Sequence, residues 1–381
     1  MIGYSFRAIM ARKNIKKPSF ILGCTQALTS PAILFYALFW LMVLLVLGTV
    51  AQRYIGLYRA QHLFFSSFIT WFGIFPLPGG YTTLALISAN LCAKLFLDSV
   101  WNRQKAGIII THMGALLLLA GGLISSLFAQ EGNMVLLPGE SRNVIADYHQ
   151  RELAVTLEGK TLLAVPYQQL KPGFVIQNSA LPFTIRIQDL CYNCRPEKRE
   201  VAEGFRNVAA KVKLADAPHE KEDEGNQSGV TFSVEGAGGE QDGIHLSFEP
   251  MPHHPTIEAN GKTYTILMRR ALTPLPFTIQ LLDFRKEVYP GTDKARSYES
   301  TVKLTDGARE WRSTIRMNHP LRYKGYTFYQ SSFLDNGEKQ ASVLAAVKNN
   351  GRMFPYISSA MMCAGMLLHL VLRRKSKKGR G

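Results

Sequence analysis

The sequence predicts a membrane α plus extracytoplasmic β protein: four transmembrane helices, with a large duplicated β-rich domain between the third and the fourth. Three observations predict it. Four apolar blocks, 32–52, 81–97, 107–128 and 354–372, each come near the ~17–25 residues that a bilayer core demands. Basic residues gather at the ends of those blocks, where they set topology. The long stretch 129–353 alternates apolar and polar residues in short runs bounded by Gly, Pro and Asn, and part of it recurs.

Residues 1–31 are read as a cytoplasmic basic N-terminus carrying Arg7, Arg12, Lys13, Lys16 and Lys17. The block 32–52 is too long, and too poor in a small-residue cleavage site, for a removable signal peptide, so it is expected to be an anchor. Residues 53–80 form an outer aromatic loop, expected to be an interfacial amphipathic helix on membrane lipid, a lid or contact surface for an apolar ligand or partner, or both. The second span, 81–97, is short and contains Asn90 and Lys94; the lysine is close enough to the end to snorkel. Residues 98–106, with Arg103 and Lys105, make a cytoplasmic loop before the third span, 107–128. The fourth span, 354–372, leads into the basic tail 373–381, which carries Arg373 and Arg374. An even span count beginning inside puts all three basic segments on the cytoplasmic side and leaves 129–353 outside. The net charge of +16 is therefore a topology signal, and no nucleic-acid partner is expected.

Within 129–353, "LPFTIRIQDL" at 181–190 recurs as "LPFTIQLLDF" at 275–284. "KVKLAD" at 211–216 recurs in the same order as "TVKLTD" at 301–306, and "NGKTYTILM" loosely matches "YKGYTFYQS". Two sheets or a sandwich of related halves follow as the expectation. The acidic, Gly-rich runs "APHEKEDEGNQSG" and "GAGGEQDG" read as long exposed loops.

Cys24, Cys92 and Cys363 lie at or within the apolar blocks and read as small packing residues. Cys191 and Cys194 form "CYNC" outside the membrane. Haem attachment would need His after the second Cys, and Arg195 stands there. A redox dithiol, half of a zinc site completed by His253 or His254, and a local structural disulfide stay open, the last being the default in an oxidising compartment.

The histidines of the apolar blocks are the candidate binding residues. His112 lies within the third span, where an ionisable ring is costly. Neutral imidazole is a common ligand of metals and haem iron, so His112 is a candidate ligand; hydrogen bonding to a neighbouring helix is the alternative. His369, near the cytoplasmic end of the fourth span and able to lie at a similar depth, and His62, at the start of the aromatic loop, are weaker candidates. No P-loop, GxSxG or HExxH is present, so catalytic residues are none and the chain is not expected to be an enzyme on its own.

The segments "LGTVAQRYIGLYRAQHLFFSSF", "FPLPGG", "NLCAKL", "THMGALLLLAGGLIS" and "NHPLRYKGYTFYQSSF" resemble the ResB family of cytochrome c biogenesis proteins, over about 32–372. The resemblance implies a subunit of the System II cytochrome c synthetase in the bacterial inner membrane, with a large periplasmic domain. With a ResC/CcsA-type membrane partner it would bind haem b in the membrane, export it and support its attachment to CXXCH thiols of apocytochrome c. The resemblance implies that His112 is an axial ligand to haem iron, the partner supplying the tryptophan-rich haem-handling segment and the remaining histidines. "CYNC" is no part of the family's pattern. A membrane-anchored thiol–disulfide protein using Cys191 and Cys194, and a haem-free assembly scaffold, are the other two readings.

Overall fold

The computed structural model describes residues 26–99, 101–292, 295–335 and 340–378. The N-terminal basic residues, Cys24 and Arg380 lie outside the described residues. The chain divides into two compact units. A helical unit takes in residues up to 50, 61–126 and 351 onward; a β unit takes in 51–60 and 127–350.

In the helical unit, four helices are long and apolar enough to cross a membrane: Pro31–Ile55, Gly80–Leu97, Arg103–Phe128 and Phe354–Arg374. The first, α1 (Pro31–Ile55), opens on Pro at a position whose N–H has no helical partner anyway, and Ser30 Oγ accepts from Ala32 N at 3.3 Å. A single turn, α2 (Leu57–Ala60), and a π turn over Gln61–Phe65 follow.

The expected interfacial helix over 53–80 stops there. The chain instead forms a β-hairpin, β1 (Ile69–Phe72) and β2 (Phe75–Pro78). Its physical reason is local: Ile, Thr, Trp and Phe favour a pleated strand, Gly73 supplies the φ of +61° at the turn, and Pro76 and Pro78 cannot sit inside a helix. After it come α3 (Gly80–Ala93), which ends in a π turn over Lys94–Asp98, then α4 (Ala106–Phe128). The last helix, α5 (Phe354–Lys378), runs past the predicted end at 372.

Helices α4 and α5 pack through small residues. Gly107, Gly114 and Gly121 recur every seven positions and are buried. A Cβ at Gly107 would stand 2.4 Å from the His369 backbone N, one at Gly114 2.7 Å from Met362 Cγ, and one at Gly121 2.2 Å from Phe354 Cβ. From the other side, a Cβ at Gly365 would meet Thr111 Oγ1 at 2.5 Å. Without a hydrophobic driving force between helices in lipid, such close backbone approach is what holds a pair together.

The β unit is antiparallel throughout its described ladders. Its larger sheet runs β15 (Arg309–Arg316), β14 (Ala295–Asp306), β13 (Lys262–Val288), β4 (Ser141–Leu157), β3 (Gln130–Leu136), β18 (Gln340–Lys348), β17 (Tyr326–Asp335) and β16 (Leu321–Tyr323). Strand β5 (Lys160–Pro166) adds to β4, and β12 (Thr256–Ala259) to β13. A smaller sheet orders β11 (Gly243–Phe248), β10 (Gly229–Glu235), β7 (Thr184–Cys191) and β6 (Val175–Ile176). β8 (Cys194–Lys198) and β9 (Val212–Asp216) make a separate ribbon.

Two hydrophobic cores result. In one, Leu181, Phe183, Ile185 and Ile187 pack with Phe232, Ile257, Ile266 and Met268. In the other, Leu275, Phe277, Ile279 and Leu281 pack with Val302, Leu304, Phe328 and Leu344. The two "LPFT" segments thus present the same four inward positions to two different cores, as period-2 alternation requires.

The second sequence match does not survive. "TVKLTD" lies in β14, paired with the second "LPFT" strand (Ile279↔Leu304), but "KVKLAD" forms β9 and pairs with β8. The neighbour of the first "LPFT" strand is "GVTFSVE" of β10 (Ile185↔Val234). Composition alone made "KVKLAD" look like the partner. The loose match holds better: both segments are hairpins with a two-residue turn at positive φ, Asn260-Gly261 (+53°, +70°) and Lys324-Gly325 (+45°, +82°). Such φ values at both central positions define the type I′ turn that suits strand twist.

Candidate functional site

The helical unit carries the predicted imidazoles. His112 stands 160° round α4 from Gly114 at 100° per residue, about opposite the glycine seam. Its ring is half-buried, and Nδ1 lies 2.7 Å from the Ile108 carbonyl. A carbonyl can only accept, so Nδ1 carries the proton and donates, and in the neutral ring Nε2 keeps the lone pair. That is the tautomer a metal-ligating imidazole needs, fixed by a backbone group one turn earlier. Ile108, on the same stripe, is 38% exposed, so apolar surface adjoins the ring.

His369 is placed elsewhere. Its backbone packs on Gly107, and its buried Nδ1 finds no hydrogen-bond partner. In the antiparallel register of α4 and α5, Gly107 is five residues, about 7.5 Å, along the axis from His112. The expectation of similar depth therefore gives way to a offset of more than one turn, and His112 and His369 are not brought together. His62 is exposed on the π turn Gln61–Phe65.

In the β unit, Cys191 and Cys194 are joined in a disulfide, and both are buried. Among the described residues no cluster of three His, Cys, Asp or Glu could hold a metal ion, and His254 Nδ1 instead meets Ser247 Oγ at 3.0 Å. The two residues inside the disulfide loop do specific work. Asn193 Nδ2 donates to the Pro218 carbonyl at 2.6 Å, and its Oδ1 accepts from Gln227 N at 3.1 Å, so it straps down the 217–227 loop. Tyr192 turns the other way, into a buried charged network that the sequence did not announce.

The centre of that network is Arg151, only 1% exposed. Its Nη1 donates to the His149 carbonyl and to Tyr192 Oη, both at 2.8 Å, and to Asp223 Oδ2 at 3.2 Å. Its Nη2 donates to the Asp223 and Asn226 carbonyls at 2.9 and 3.1 Å. Asp223 also accepts from Tyr192 Oη at 2.8 Å and from His149 Nδ1 at 2.8 Å. His149 in turn stacks on Tyr58, with centroids 3.8 Å apart. Burial pushes the Asp223 carboxyl up, but hydrogen bonds from His149 and Tyr192 and the charge of Arg151 outweigh it and hold it below its ordinary value. Burial, then the hydrogen bond to Asp223, push the Tyr192 phenol up, so it stays a donor. The acidic run expected to be an exposed loop therefore contributes two of the most buried polar side chains, Asp223 and Asn226. The arrangement can anchor a loop and orient rings; its carboxylate is fully engaged.

The "NHPLRYKGYTFYQSSF" segment has a structural explanation. Asn318 takes φ +63° at one turn and Lys324-Gly325 form the next, while Tyr326 and Phe328 enter the second core, edge-on to Phe277. Tyr323 Oη donates to Asp306 at 2.5 Å and closes the same corner. Leu321, Tyr326, Thr327 and Phe328 are buried along this seam, while Arg322, Tyr329, Ser331 and Ser332 stay exposed.

The ResB-like family matches residues 256–344, from β12 into β18, and so takes in this seam. Among characterised proteins, Protein NrfI of Wolinella succinogenes is 35% identical over 100 residues, which is 26% of this chain. The match covers 11% of NrfI's own length.

Proposed function

We propose that this ResB-like chain is a membrane subunit of cytochrome c biogenesis that holds haem, as cargo, at His112 on its way across the bilayer. The observation that carries the reading is the Nδ1–H bond to Ile108, which presents Nε2 as a lone pair from a helix long and apolar enough to span. Four such helices and a large β unit suit a membrane protein with a bulky extramembrane part. The match over 256–344 supports the family's pathway as the setting.

In this reading haem b would enter from the cytoplasmic side, and the His112 imidazole would hold its iron. A ResC/CcsA-type partner supplies another ligand and the haem-handling surface, so occupancy depends on assembly. The β unit positions the partner or apocytochrome c on the periplasmic face of a bacterial inner membrane. The chain is not an enzyme by itself, since thioether formation belongs to the complex. A thiol–disulfide role for Cys191 and Cys194 is the weaker reading, because both sulfurs are buried and their loop is committed to Arg151 and to residues 217–227.

The test is the absorption spectrum of the complex co-purified with a ResC/CcsA-type partner. The wild type is expected to show His-ligated haem, His112→Ala to lose most of that signal, and added imidazole to restore part of it. An unchanged haem spectrum in His112→Ala would mean that this imidazole does not hold the haem, and a wild-type complex without haem would leave a haem-free scaffold as the better account.

A further inference from the structure

We propose that the hairpin β1–β2 lies inside the bilayer, against lipid acyl chains, as a re-entrant element alongside α1. The inference rests on the helical unit being membrane-embedded and adds what that reading leaves open, the place of the chain between the first two spans.

Level along α1 is the first argument. Trp40 Nε1 donates to the Pro78 carbonyl at 2.8 Å, which fixes the base of β2 to α1 about 14 Å from its start at 1.5 Å per residue. About 22 Å of α1 remains beyond that point before Ile55. Gly48 makes the second mark: a Cβ there would lie 2.6 Å from Phe65 Cζ, so the chain entering the hairpin is laid on α1 at residue 48. The hairpin therefore springs from the level of residues 40–48. These lie within the apolar window of α1, whose mean hydropathy is 2.5.

Composition is the second. No Asp, Glu, Lys or Arg occurs from Leu63 to Ala93. Phe68, Ile69, Trp71, Phe72, Ile74 and Phe75 are all more than half exposed, Ile74 at the tip reaching 82%. A hairpin in water normally guards its edges with charge; this one has none.

Backbone polarity is the third. Phe72 and Phe75 flank the two-residue turn and exchange hydrogen bonds, so Trp71↔Pro76 and Ile69↔Pro78 are the alternate pairs, whose N–H groups would point outward. Proline at 76 and 78 removes both outward donors from β2. In hydrocarbon each unpaired donor costs several kcal/mol, so the prolines lower the cost of lipid contact along β2, while the outward N–H groups of Ile69 and Trp71 on β1 still carry it. The base is sealed as well: Phe68 O accepts from Gly79 N at 2.9 Å and Thr82 Oγ1 at 2.5 Å. The "PGG" turn is what allows it, since a Cβ at Gly79 or Gly80 would meet the Ser67 or Phe65 carbonyl at 2.3 or 2.2 Å.

Spin labels decide it. In full-length protein with Cys24, Cys92 and Cys363 changed to Ser and the disulfide kept, a nitroxide is placed at Ile74→Cys, with Val46→Cys on α1 and Lys160→Cys at the exposed start of β5 as references. In phosphatidylcholine–phosphatidylglycerol vesicles, Ile74 is expected to follow Val46, with relaxation by oxygen at least threefold stronger than by a neutral nickel chelate. Nickel-dominated relaxation at Ile74, matching Lys160, places the hairpin in water and overturns the proposal. Protection from both reagents means protein covers it and also overturns it. If Val46 itself behaves like Lys160, the membrane premise fails separately. Should Ile74→Cys not assemble, quenching by acyl-brominated lipid in wild type minus Trp71→Phe reads the same depth: a Trp71 share of the quenching supports the proposal and its absence overturns it.

Discussion

The two "LPFT" strands start alike and end differently. Both send Leu, Phe and two aliphatics into a core, and both pair with an antiparallel neighbour. The second continues without interruption to Val288, and β14 follows it the whole way. The first stops at Cys191, where the disulfide turns the chain into β8. That break displaces "KVKLAD" to pair with β8 and brings Tyr192 to Arg151. Its polar centre is ionic and backed by a strapped loop, whereas that of the second half is a neutral trio, with Ser300 Oγ at 2.7 Å from Ser342 Oγ and 2.6 Å from Gln330 Oε1. One repeated strand thus supports two kinds of interior, and the insertion after it decides which.

The sharpest way to break the comparison is to remove one charge from the first half. Arg151→Met leaves Asp223 buried without its cation and is expected to cost about 3–5 kcal/mol in urea unfolding, whereas Ser300→Ala in the second half costs about 1 kcal/mol. Equal losses would mean that the two centres are energetically alike. Opening the disulfide by Cys191→Ser with Cys194→Ser comes next. Closing so short a loop is worth about 2 kcal/mol, and amide exchange should quicken over 217–227 while the 321–335 seam keeps its protection.

Acid is a gentler probe of the same asymmetry. The folded Asp223 carboxyl sits below its ordinary value, so the fold binds fewer protons there than the unfolded chain. Its contribution is complete above roughly pH 4 and is lost as pH falls through the folded value. Unfolding free energies measured from pH 6 to 2.5 should therefore fall less steeply in Asp223→Asn. Smallest is a turn substitution that should treat the halves alike. Gly261→Ala and Gly325→Ala each place a Cβ at positive φ and are expected to lose about 1 kcal/mol by thermal melt, with nothing nearby to clash.

Legibility followed periodicity. The apolar blocks and the alternating strands could be read because burial repeats at fixed spacing, and the four long helices stand where those blocks do. The His112 tautomer needed the Ile108 carbonyl, one turn away and visible only once the helix exists. The hairpin 69–78 was missed because its aromatic run satisfied an amphipathic expectation without any helical period. The Arg151 network was out of reach for a different reason. Arg151, Tyr192 and Asp223 are far apart in sequence, and Asp223 sits in a run of charges whose other members are solvated, so nothing local marks it as the one drawn inside. The glycines at 107, 114 and 121 were in plain view, and their heptad spacing was the signal that could have found the α4–α5 seam.

Strand β13 has a last consequence. One continuous strand, whose ladder to β4 shifts register between Pro274 and Ile279, supplies Ile266 and Met268 to the first core and Phe277 and Ile279 to the second, so melting either core frays the other's central strand. The β unit should therefore come apart in a single concerted transition, and calorimetry should record one heat-absorption peak where two cores would suggest two.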